Sequence, residues 1–150
     1  IPHPSSLLLT VRCEEPAAAK MDWSSIDHDF VWGDDCVTVA LEDQGMWKVY
    51  KTGEIWKCGN REMGKWEKDE MGKWKVTHDE TGWTVTVTIP VTEKMAKRGF
   101  VRGNVSRWRV GDRRMPEKDR VAGSRYEHSR LGTRFTQPED DPAAFVTFEL

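Results

Sequence analysis

Carboxylates and indoles dominate the chemistry open to this chain. Asp27, Asp29, Asp34 and Asp35 crowd one polar stretch. Oxygen donors of that kind could hold Ca²⁺, a hard cation, as a structural ion, although acids that merely solvate a loop would look the same. Trp32 ends this stretch, immediately before Gly33-Asp34-Asp35. An indole face takes the C–H face of a pyranose while neighbouring polar groups bond its hydroxyls, so this placement suits a sugar. A Trp that only caps the edge of a core would occupy the same position. His3, His28, His78 and His128 are dispersed, and none forms the i, i+4 pair of a helical zinc site. There is no nucleophile elbow, no phosphate-cradling glycine loop and no Ser-His-Asp set. A glycosidase needs two carboxylates at a fixed separation in a cleft, which sequence does not display. The expectation is a non-enzyme without a catalytic cofactor.

These residues must be positioned by strands. Val37, Val39 and Leu41 alternate within Cys36–Glu42, the period of two that marks a half-buried strand. Asp43-Gln44-Gly45 turns the chain into Met46–Lys51, and Thr52-Gly53 turns it again into Glu54–Cys58. Leu7–Cys13 and Ala144–Leu150 read as the first and last strands. Gly82–Pro90 gives the clearest pattern, with Trp83, Val85, Val87 and Ile89 on one face and Pro90 closing the ladder. Residues 91–98 are expected to make one helical turn. In Phe100–Val110 the parity slips, because Val101 and Val105 share one face whereas Trp108 and Val110 share the other. A bulge near Ser106 or Arg107 would place all four in the core. Seven to nine such strands predict an all-β protein, an antiparallel two-sheet β-sandwich of jelly-roll type.

Glu62-Met63-Gly64-Lys65-Trp66 recurs as Glu70-Met71-Gly72-Lys73-Trp74, too closely for a solenoid repeat. Two adjacent short strands, each offering a Trp and a Lys, would explain it. Trp83 and Trp108 are expected in the core; Trp47, Trp56, Trp66 and Trp74, flanked by lysines, are ambiguous.

The 150 residues fit one domain, 1–150. With 23 Lys and Arg against 25 Asp and Glu, net charge is −2, so no overall field draws nucleic acid. The longest apolar run, Ser5–Val11, is far too short to span a bilayer. Ile1 does not look like a natural start, and the chain reads as a fragment of something longer. Cys13, Cys36 and Cys58 match no metal spacing and are expected as buried thiols.

The order Trp32-Gly33-Asp34-Asp35-Cys36-Val37, Tyr50-Lys51-Thr52-Gly53 and Gly82–Pro90 resembles the family 9 carbohydrate-binding modules and their relatives. Asn104-Val105-Ser106-Arg107, Tyr126-Glu127-His128-Ser129, Phe135–Glu139 and Phe145–Phe148 extend the resemblance along Leu7–Leu150. It implies a non-catalytic sandwich that binds glycans, supported by Ca²⁺ and appended to other domains of a secreted or cell-surface protein. In such modules two aromatic rings enclose the end of a glycan. Trp32 matches the first ring, and Tyr126 or His128 stands where the second belongs. Lys48, Arg107 and Tyr126 are the further carbohydrate-binding candidates. The family's sugar-bonding acid falls at Thr38, and its basic and amide pair falls at Lys48 and Tyr50. Those departures favour a rival reading, a structural or interaction sandwich that has lost the pocket. A second rival is a haem-binding sandwich, for which Met46, Met63, Met71 and the histidines would supply ligands.

Overall fold

A computed structural model describes residues 5–24, 35–58, 66–69, 73–110, 126–130 and 146–149, with backbone alone for 66, 110, 126–130 and 146. The strands, in chain order, are β1 (Ser6–Glu14), β2 (Cys36–Leu41), β3 (Gly45–Tyr50), β4 (Ile55–Cys58) and β5 (Trp66–Lys68). They continue as β6 (Trp74–His78), β7 (Gly82–Pro90), β8 (Phe100–Val110), β9 (Tyr126–Arg130) and β10 (Val146–Glu149). A 3₁₀ turn, Ala18–Lys20, follows β1, and helix α1 (Glu93–Arg98) joins β7 to β8. All strand pairs are antiparallel, and they form two sheets.

The smaller sheet has the order β1-β7-β6, and the larger runs β10-β8-β2-β3-β4-β5 with β9 also on β8. β9 and β10 share one edge of β8, since β10 pairs with Phe100–Gly103 and β9 with Ser106–Val110. The alternating residues of β7 and β2 meet between the sheets. Trp83, Val85, Val87 and Ile89 pack there with Val37, Val39, Leu41, Val49, Val101 and Val105. Each such side chain contributes roughly 1.5–3 kcal/mol as an upper bound. The expected all-β sandwich is therefore what the chain forms.

The helical turn is capped at both ends. Thr92 Oγ1 accepts a hydrogen bond from Met95 N, and Gly99 ends the helix at φ 76°, where a side chain would be strained. Gly103 is required for a different reason: a Cβ there would collide with the Ala40 carbonyl oxygen.

Four expectations change. β8 contains no bulge, for its register with β2 runs unbroken from Leu41↔Gly103 to Cys36↔Trp108. Trp108 is consequently half-buried on the face away from Val105, not in the core. The strands that begin at Trp66 and Trp74, where the two Glu-Met-Gly-Lys-Trp copies end, are not neighbours either. β5 pairs with β4 in the larger sheet and β6 pairs with β7 in the smaller. Finally, β2 is not half-buried: all six of its residues are buried, on both faces.

Candidate functional site

The second face of β2 is where polarity accumulates. Strand registers align three ranks across it. Tyr50, Cys36 and Trp108 form the first; Trp56, Lys48, Thr38 and Ser106 the second; Cys58, Met46, Ala40 and Asn104 the third. Thr38 and Ser106 are 1% and 2% exposed, yet neither Thr38 Oγ1 nor Ser106 Oγ has a hydrogen-bond partner among the described residues. A buried hydroxyl without a partner costs roughly 1–3 kcal/mol, and two side by side double that cost. Lys48, Tyr50, Trp56 and Trp108 surround them and are half-buried. Trp56 Nε1 donates to Glu54 Oε1 at 2.8 Å, which fixes the ring. Trp83 Nε1 also lacks a partner, but it is isolated among apolar neighbours and suggests no ligand.

Arg107 stands elsewhere. It pairs with Val37 in register and so lies on the core-facing side, opposite to Lys48. Its Nη1 donates to the Glu14 carbonyl at 2.8 Å, tying β8 to the other sheet. Beside it Arg109 Nε and Nη2 donate to Glu15 at 2.7 and 2.9 Å, and Arg107 Nη2 lies 3.6 Å from the same carboxylate. Glu15 also accepts from Ala17 N. This is a buried charge neutralised by two guanidiniums, a brace between sheets. Lys48 and Arg107 do not share a site.

Trp32 lies outside the described residues, and so does the Tyr126 side chain; the backbone of Tyr126 pairs with Val110. Of the four candidate Ca²⁺ acids only Asp35 is described: it is buried at the start of β2, and its carbonyl accepts from Lys51 N at 3.1 Å. Among the described residues no three His, Cys, Asp or Glu side chains cluster as metal ligands. Of the haem candidates, Met63, Met71, His3, His28 and the His128 side chain lie outside them. Met46 is half-buried on β3, and His78 stacks on Trp23 with ring centroids 4.6 Å apart. Cys13, Cys36 and Cys58 are buried and form no disulfide, and burial pushes the Cys13 thiol up to about 11. No described helix is long and apolar enough to cross a membrane.

No family model, curated protein or solved structure matches this chain.

A cleft opens between the sheets, lined by residues of β2, β3, β4, β6 and β7. Trp47 and Trp74 form its walls, and neither was singled out by sequence because flanking lysines obscured their burial. Ser106 and Thr38 were missed as a pair because only the β2–β8 register brings them side by side.

Proposed function

We propose that this chain is a non-catalytic carbohydrate-binding sandwich, carried as one module of a secreted or cell-surface protein. The observation that carries this reading is the pair of unpartnered buried hydroxyls, Thr38 and Ser106, set among Lys48, Tyr50 and Trp108. Sugar hydroxyls both donate and accept, so they can satisfy threonine and serine at once. Indole and phenol rings at the margin supply the apolar surface that a pyranose face needs. Lys48 would bond a ring or hydroxyl oxygen, and Trp32, on the sequence resemblance, would stack on the sugar.

A second reading is a structural sandwich with no ligand, and one observation favours it. The floor of the face is almost closed, with Cys36, Thr38, Ala40, Asn104 and Ser106 all at 2% exposure or less. Intrinsic Trp fluorescence against a panel of mono- and oligosaccharides separates the two. A saturable shift that disappears in both Trp32→Ala and Thr38→Val supports sugar binding on this face. No response to any sugar, from protein whose circular dichroism shows it folded, moves the assignment to the structural reading.

A further inference from the structure

We propose that the cleft between the sheets is a separate binding site for a small organic anion with a flat apolar body. The cleft encloses about 260 Å³, enough for one such molecule. Its floor is apolar, made by Leu41, Val87 and Ile89 from the core faces of β2 and β7. Its walls are two indoles from different sheets, Trp47 on β3 and Trp74 on β6, with centroids 5.9 Å apart and planes tilted by 46°. Trp47 is held in place, because its Nε1 donates to Asp69 Oδ2 at 3.1 Å. A tilted pair at that distance is in direct contact, so the two rings join into one angled apolar surface, a wedge against whose open side a planar ring can lie.

The charge at the mouth selects the ligand. Lys57 and Lys73 line the cleft and are exposed, and neither forms an ion pair among the described residues. Glu67 stands opposite Lys57 in register yet makes no ion pair with it. Lys57 Nζ instead sits 5.0 Å from the Trp47 ring centroid, a cation held over an indole at the rim. Among the described residues Asp69 is the one carboxylate lining the cleft, and it is engaged with Trp47. Two ammonium groups above an apolar wedge complement a carboxylate on a fused or single ring. A neutral sugar would leave both cations without a partner, which separates this site from the hydroxyl face of the larger sheet.

Isothermal titration of the full chain with naphthalene-2-carboxylate and with naphthalene-2-methanol tests the proposal. The carboxylate is expected to bind about tenfold more tightly than the alcohol, the difference a charge-assisted bond supplies. The double variant Lys57→Met, Lys73→Met, altered only at exposed positions, should bring the carboxylate down to the affinity of the alcohol. Trp74→Leu should weaken both, and Thr38→Val should weaken neither. Absence of binding by either compound overturns the site. So does equal affinity for the two, an unaffected double variant, or loss of binding in Thr38→Val, which would put the ligand on the other face.

Discussion

Two regions of this molecule are polar and buried, and they are built in opposite ways. At the end of β1, the Glu15 carboxylate accepts from Arg109 twice and from Ala17 N, with Arg107 beside it. Nearby, on the surface, Asp79 accepts from Arg12 Nη1 and Nη2, from Thr81 and from Gly82 N. On the outer face of β2 and β8, by contrast, the Thr38 and Ser106 hydroxyls meet no partner among the described residues. A carboxylate saturated by the chain's own donors fixes the fold and has nothing left to offer a ligand. Hydroxyls left open carry a desolvation cost that only a ligand or water can recover. Polarity alone therefore does not locate a site; the state of its hydrogen bonds does.

The largest expected effect tests the saturated region. Glu15→Ala should lower stability by about 3 kcal/mol in urea unfolding, because it strands Arg109 and Arg107 beside an empty position. The lower end of the range for broken buried pairs applies, since the Arg107 and Arg109 side chains keep 19% and 18% exposure. A loss under about 1 kcal/mol would show that the cluster is not a brace, and the contrast would fail on that side.

The next pair of substitutions exchanges the character of adjacent residues on one strand. Val39→Thr puts a hydroxyl into the apolar core face and should cost about 1–3 kcal/mol. Thr38→Val removes an unpartnered hydroxyl at nearly constant volume, so stability should hold or rise by about 1 kcal/mol. Opposite signs at neighbouring positions would sharpen the comparison; a substantial loss at Thr38 would mean its hydroxyl is structurally bonded. In the same variant, sugar binding should disappear while stability does not.

Sequence made the sheets legible where one face is apolar and the other open, as in β7, where Trp83, Val85, Val87 and Ile89 alternate with threonines. It misled where both faces are covered. In β8, Val101 and Val105 face the core while Asn104, Ser106 and Trp108 face outward, so both parities carry bulky or buried residues. That superposition looks like a slipped register, and only pairing with β2 shows that nothing slips. Sites assembled from distant strands were invisible for a related reason. Arg109 and Glu15 lie 94 residues apart, and Trp47 and Trp74 belong to different sheets. Lys48 and Arg107 were grouped as candidates, but the sheet separates them, because an odd–even difference in register becomes a difference of face.

The smallest expected effect concerns Asp79, whose ion pair with Arg12 is largely open to water. The Arg12 guanidinium, then the Thr81 backbone and hydroxyl, hold its carboxyl well below the usual carboxylate range. A carboxyl that binds its proton more weakly when folded stabilises the fold above its unfolded pKa of about 4. That contribution fades as pH falls toward the lower folded value. Comparing the melting temperatures of the native chain and Asp79→Asn across pH should therefore reveal a small gap that is constant at neutral pH. The gap should narrow below about pH 4 and shrink with added salt, as for any exposed pair. A gap that ignores both acid and salt would mean that Asp79 acts through the turn it caps at Thr81 and Gly82 rather than through its charge. The saturated region would then rest on Glu15 alone, the one carboxylate in it that water cannot reach.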